Sequence, residues 1–150
     1  MKLIAHRGNI DGPSQETENT VNQIDKCIEE GYDVEIDLWY NITTETFWLG
    51  HEHPKENISL YELAKRSENL WVHCKDIITL DFMSRTSFNF FWHQRDDYTL
   101  TSKGHIWSYP GKTYTSSTVV VMPEEVNMNW DILKVTHCHG VCSDYVSKLK

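Results

Sequence analysis

At 150 residues, 39% hydrophobic and 12% aromatic, the chain has enough apolar material for one packed core and too much for a disordered segment. Its formal charge of -8 argues against a general nucleic-acid or anionic-membrane binder. No apolar run approaches the roughly 18 residues that a membrane helix needs. The expectation is therefore a single domain over 1–150 with no transmembrane segment and no nucleic-acid partner.

Lys2 to Ala5 reads as a short buried strand, with His6-Arg7-Gly8 at its C-terminal end and a Gly12-Pro13 loop beyond. Thr20 and Gln23 form a capping box that opens a helix with Val21, Ile24 and Ile28 on its apolar face, ended by Gly31. A second strand runs from about Asp33 to Trp39, and a polar turn returns the chain as Thr46 to Leu49, ending at Gly50-His51. Ser59 and Glu62 form a second capping box, with Leu60, Leu63 and Ala64 expected inward. Leu70 to Cys74 is a third strand, a helix is expected from about Thr79 to Arg85, and Phe88 to Trp92 is a fourth strand.

This alternation of strands and helices is the pattern of parallel βαβ units. The second half differs. Tyr98 to Thr101 and His105 to Tyr109 read as a hairpin, Thr118 to Met122 as a β-branched core strand, Asn129 to Lys134 as a helical turn and Gly140 to Ser143 as a last strand. A full eight-unit barrel takes about 250 residues. The fold class expected is thus α/β, a compact, reduced TIM-like (β/α) barrel with loops in place of some helices.

The most informative stretch is Val34-Glu35-Ile36-Asp37-Leu38. Its period of two puts both carboxylates on one strand face, where they repel unless water, a basic group or a metal ion compensates. A solvated outer face would explain them equally well on strand statistics alone. Their company, His6-Arg7-Gly8 after one strand and Gly50-His51-Glu52 after another, favours a site. An acidic chain that handles a phosphate also needs a local cation. Cys27, Cys74, Cys138 and Cys142, with Met1-Lys2 leading straight into Leu3-Ile4-Ala5 and no secretory leader, are expected as reduced thiols in a cytoplasmic setting. His137-Cys138-His139 and Cys142 lack a second pair at finger-like spacing, which disfavours structural zinc.

His6-Arg7-Gly8, Glu18-Asn19-Thr20, Glu35-x-Asp37, Gly50-His51 and Ser143-Asp144 occur in that order over nearly the whole chain. Together they resemble the glycerophosphodiester phosphodiesterase family of TIM-barrel-like enzymes. The resemblance implies His6 and His51 as the acid/base pair, and Glu35 and Asp37 as ligands of Mg²⁺ or Ca²⁺. It implies that Arg7 grips the substrate phosphate, with Lys75 and Glu18 in the same pocket.

Three positions depart from the family pattern. Thr17 stands where the family has proline, and Glu52 where many members have aspartate. His73 stands where a third carboxylate ligand is expected, two residues before Lys75. An imidazole there brings Mn²⁺ or Zn²⁺ into consideration. The implied substrates are glycerophosphodiesters or related lysophospholipids. Two rivals stand beside a hydrolase: a phospholipase-like lyase that stops at a cyclic phosphate, and a non-catalytic binder of phosphate ligands.

Overall fold

The computed structural model describes residues Met1–Lys150. In chain order the elements are β1 (Lys2–Ala5), α1 (Val21–Glu29), β2 (Asp33–Asn41), β3 (Thr46–Leu49), β4 (Glu56–Ile58), α2 (Leu60–Lys65) and β5 (Leu70–Cys74). They continue with α3 (Ile77–Met83), β6 (Asn89–Phe91), β7 (Tyr98–Leu100), β8 (Ile106–Ser108), β9 (Thr118–Val121), α4 (Trp130–Val135) and β10 (Gly140–Ser143). No helix is long and apolar enough to cross a membrane.

The parallel strands lie side by side in the order β6-β5-β2-β1-β10-β9-β8. β3 pairs antiparallel with the far half of β2, from Leu38 to Asn41, and β4 adds to β3. β7 returns antiparallel on β8. The α/β class is as expected, but the strand ladder is not closed: no ladder joins β6 to β7 or β8. What bridges that gap is mostly one residue. Ser102 N donates to Phe90 O at 2.8 Å, Ser102 Oγ donates to Phe88 O at 2.9 Å, and Phe90 N donates to Ser102 Oγ at 3.0 Å.

The period-two pattern sorts side chains onto two faces. Val34, Ile36 and Leu38 of β2, with Leu70, Val72 and Cys74 of β5, pack outward against helix residues such as Ile24, Cys27, Leu63 and Met83. Ile4, Trp71, Phe91, Trp107, Val119, Val121 and Cys142 form a separate cluster on the opposite face. Val120 and Val141 point away from that cluster and pack with Leu133 of α4, Cys138 and Leu149. Cys138 and Cys142 thus lie in different apolar clusters, and all four thiols are free and buried.

The helix starts follow their caps. Thr20 Oγ1 accepts from Gln23 N at 3.3 Å, Ser59 Oγ from Glu62 N at 3.1 Å and Asn129 Oδ1 from Ile132 N at 3.2 Å. α3 starts two residues earlier than its apolar pattern suggests, because Asp76 caps it by accepting from Thr79 N at 2.7 Å. Two local expectations are corrected. The Gln23 side chain donates to Gly8 O at 2.7 Å instead of reaching back to its own cap. Leu60 and Ala64 are exposed and only Leu63 of α2 is buried, since a helix of 6 residues has one turn to bury.

Because Ser102 carries two side-chain bonds across the unladdered edge, beside that from Thr99 Oγ1 to Trp92 O at 2.8 Å, Ser102→Ala should lower unfolding free energy by about 1 kcal/mol. It should also speed amide exchange at Phe90 selectively. Urea denaturation and hydrogen exchange measure the two effects.

Candidate functional site

The C-terminal ends of the parallel strands converge on one cavity of ≈ 370 Å³. His6 and Arg7 enter it from the turn after β1, Glu35 and Asp37 from β2, His51 from the turn after β3 and His73 from β5. Asp144 follows β10 on the other side. Phe91, Trp107, Tyr109, Val121 and Met122 line the remaining wall. Strand C-termini are where parallel α/β folds expose groups from several segments to one ligand.

Asp37 is the most heavily contacted group. Its carboxylate lies 3.0 Å from His73 Nδ1, 3.2 Å from His51 Nδ1, 3.1 Å from Lys75 Nζ and 3.3 Å from Arg7 Nε. Asn19 completes the cage. Its Nδ2 donates to Asp37 Oδ2 at 3.0 Å, and its Oδ1 accepts from Asp37 N at 3.0 Å. Burial acts to raise the Asp37 pKa, but the hydrogen bonds of His51 and His73 and the Lys75 charge hold it well below the usual carboxylate range.

Glu35 has the opposite balance. It is 2% exposed, and the hydrogen bond it receives is from Arg7 N at 3.1 Å. His6 Nε2 and His73 Nδ1 stand 4.0 and 3.9 Å away. Burial first, and the neighbouring Asp37 charge second, push the Glu35 carboxyl up. The Arg7 backbone takes a left-handed conformation, φ 52°, to present that N–H.

Ligand atoms of Glu35, Asp37 and His73 lie within 4.8 Å of one another. Two carboxylates and an imidazole, one carboxylate buried and poorly compensated, are a donor set that fits a divalent cation. His93 stacks on the His73 ring at 4.6 Å, and burial brings its imidazole down to about 4. At neutral pH His93 therefore adds no charge to the cluster.

His6 is oriented from the far side. Its Nδ1 lies 2.8 Å from Asp144 Oδ1, and Asn9 Nδ2 donates to the same oxygen at 2.8 Å. Burial opposes the charged imidazolium, but Asp144 and then Glu35 outweigh it and the His6 pKa is raised. The Asp144 pKa is correspondingly lowered: burial opposes the shift and the His6 hydrogen bond overcomes it. Asp144 is in turn held by Glu124, which accepts from Asp144 N at 2.9 Å and from Ser143 Oγ at 2.8 Å.

The residues implied as phosphate contacts are placed differently from one another. Arg7 lines the cavity but braces Asp37 and reaches Glu18 at 3.6 Å. Glu18 lies in an adjoining chamber with Gln15, Asn19, Glu52, His53 and Lys55, which shares Arg7 and His51 with the main cavity. Its carboxylate serves Arg7, since an acid offers a phosphate no attraction. Lys75 lies against Asp37 as its counter-charge. His53 belongs to the side chamber, so His51 is the histidine set against Asp37. Lys55 Nζ donates to the main-chain oxygens of Gln15, Glu16 and Glu18 at 2.7, 3.2 and 3.2 Å, tying the loop that carries Asn19 to the segment that carries His51.

Asn19 and Asp144 are the two positioning groups that pattern reading leaves without a role. Asn19 reads as part of a helix cap, and Asp144 sits at the end of the last strand, far from His6 in sequence. The left-handed backbone at Asn19, φ 54°, turns its amide inward toward Asp37.

Asn19→Ala should cost roughly 1–3 kcal/mol in denaturant unfolding, because it leaves the buried Asp37 N–H without its acceptor and takes one hydrogen bond from the carboxylate. Asp144→Asn should lower the His6 titration midpoint in an NMR titration with chelator present. A raised His6 pKa contributes stability that is full below the ordinary value of 6.5 and is lost as pH rises through the folded value. The variant should lose that contribution on the acid side.

No family model, curated protein or solved structure matches this chain, so the site stands on its own geometry.

Proposed function

We propose that the protein is a metal-assisted phosphoric diester hydrolase acting on glycerophosphodiesters or related lysophospholipids, as its resemblance to the glycerophosphodiester phosphodiesterases implies. The observation that carries this reading is the meeting of His6, Arg7, Glu35, Asp37, His51 and His73 around one cavity, from segments far apart in sequence. A reduced barrel is the matching reading of the fold. The Ser102 bridge and the apolar cluster of Trp71, Phe91 and Trp107 across the unladdered edge support it.

Glu35, Asp37 and His73 would hold the cation, with Mg²⁺ or Ca²⁺ favoured by the carboxylates and Mn²⁺ or Zn²⁺ by the imidazole. When bound it supplies positive charge for the phosphoryl oxygens. Arg7, already fixed by Asp37 and Glu18, directs its remaining guanidinium N–H groups at the same oxygens. Each histidine has its Nδ1 engaged, His6 by Asp144 and His51 by Asp37, which leaves both Nε2 atoms for proton transfer. His51 Nε2 also lies 3.2 Å from Glu52, whose side chain is 82% exposed and is readily displaced.

In the proposed reaction one histidine takes the proton of an attacking hydroxyl as its oxygen bonds to phosphorus. The other protonates the alcohol oxygen as its bond to phosphorus breaks. If the attacker is a hydroxyl of the substrate the first product is a cyclic phosphate, which water then opens.

His6→Ala and His51→Ala should each reduce turnover by roughly a hundredfold or more, while His53→Ala stays active. Phosphorus NMR of a glycerophosphodiester, with and without chelator, reads the outcome directly. A monoester supports the hydrolase, a persistent cyclic product identifies a lyase, and an unchanged spectrum under every metal tested leaves only a binding protein.

His73 gives a separate test. His73→Glu should tighten Mg²⁺ or Ca²⁺ in calorimetry and retain activity. Loss of activity that Mn²⁺ or Zn²⁺ supports in the parent would assign a transition metal instead.

A further inference from the structure

The N-terminal ends of the strands enclose a second cavity, of ≈ 470 Å³, at the other end of the fold from the acid and histidine cluster. Lys2 enters it from the start of β1, Asn89 from the start of β6, His105 from the turn before β8 and His139 from the segment before β10. Trp71 lines this cavity while Phe91 and Trp107, in the same apolar cluster, line the first, so that cluster partitions the two.

The His105 and His139 rings stack here with centroids 3.7 Å apart and planes 21° from parallel. Their hydrogen bonds run through the main chain, from His105 N to Thr101 Oγ1 and from His139 N to Thr118 O, which leaves the ring nitrogens unpartnered. Asp33, the buried acid of the cavity, is already satisfied. It accepts from Asn69 Nδ2 and Trp71 Nε1, both at 3.1 Å, and pairs with Lys2 Nζ at 2.9 Å. Lys103 is exposed and belongs to no ion pair, and Ser67 and Ser87 add two hydroxyls. Asn89 Oδ1 is buried without a partner, so the Nδ2 hydrogens are what this amide offers the cavity.

Two adjacent histidines could serve a metal ion or an anion, and charge decides between them. Burial chiefly, then nearby positive charge, lowers both imidazole pKa values. Lys2 acts on both rings, His105 and the terminal amine act on His139 as well, and Asp33 alone raises His139. The same field repels a metal cation. The stacked rings also hold their in-plane lone pairs in two layers instead of turning them on a common point. An anion fits both facts. It meets uncommitted N–H groups on Lys2 and Lys103, and its charge lets the stacked pair take up a proton. Glu68 opposes it only from the exposed rim. Donors from several strand starts suit a tetrahedral oxyanion better than a planar carboxylate. We infer that this cavity binds a phosphate group, free or as a monoester, between Lys2, Lys103 and the His105–His139 pair. The site is independent of the activity proposed for the acid cluster.

The test follows the two rings themselves, because phosphate also suits the Arg7 end of the first cavity. Their imidazole NMR signals, assigned through His105→Gln and His139→Gln, are titrated against pH in the intact chain with chelator present. The titration is run in inorganic phosphate and in chloride at equal ionic strength. A bound anion favours imidazolium, so phosphate should raise the midpoint at which the pair takes its first proton by roughly half a unit or more. At neutral pH the phosphate affinity read from the same signals should fall severalfold in Lys103→Gln, an exposed position where folding is not at stake. Glycerol phosphate separates the sources: a response like that to inorganic phosphate assigns the group whatever carries it, and no response restricts the site to the free ion. Equal midpoints in phosphate and chloride, or an affinity that Lys103→Gln leaves unchanged, overturn the assignment.

Discussion

Placing two carboxylates on one buried strand face is the constraint to which the rest of the site responds. Glu35 and Asp37 are both nearly inaccessible to water, and an isolated buried charge is too costly to persist. The protein resolves this unequally. Asp37 gathers Lys75, Arg7, His51, His73 and Asn19 and stays ionised. Glu35 receives little beyond one backbone N–H, so its charge depends on what else arrives. A cation would restore the balance, and this asymmetry is a stronger argument for one than the acid count alone.

The same constraint organises the loops. The basic groups that serve Asp37 come from three segments: Arg7 from the turn after β1, His51 from the turn after β3, and His73 and Lys75 from the end of β5. Satisfying that one carboxylate therefore fixes the relative positions of His51, Arg7 and Lys75. His6 is fixed independently, through Asp144 and Asn9, and Asp144 is held by Glu124. Two separate polar networks thus approach the cavity from opposite sides, one centred on Asp37 and one on Asp144. Left-handed backbone at Arg7, Asn19 and Met122, all at or beside the cavity, marks where local strain is tolerated to aim these groups.

Much of this was legible in the sequence because it rests on short-range periodicity. Alternation in Val34–Leu38 put Glu35 and Asp37 on one face, and the same rule put His73 with Lys75 and Trp71, opposite Val72 and Cys74. Caps at Thr20 and Ser59 marked helix starts within a residue. The illegible parts depend on tertiary proximity. Asp144 meets His6 only because β10 pairs with β1. Asn19 turns its amide into the site instead of capping, a choice set by one φ angle. Leu60 and Ala64 matched an apolar helix face, yet α2 is too short to bury them. The open edge between β6 and β8 likewise could not be read from strand count.

The Lys55 clasp has a consequence for how this site tolerates change. Its ammonium binds three main-chain oxygens in the segment from Gln15 to Glu18, and no side chain of that segment is needed for those contacts. Gln15, Glu16 and Thr17 are exposed, so their identities can drift while the loop keeps its path. The position of Asn19, and through it the setting of Asp37, is thereby insulated from the composition of the surface loop before it. Variation in that loop would reach the side chamber and leave the acid cluster undisturbed.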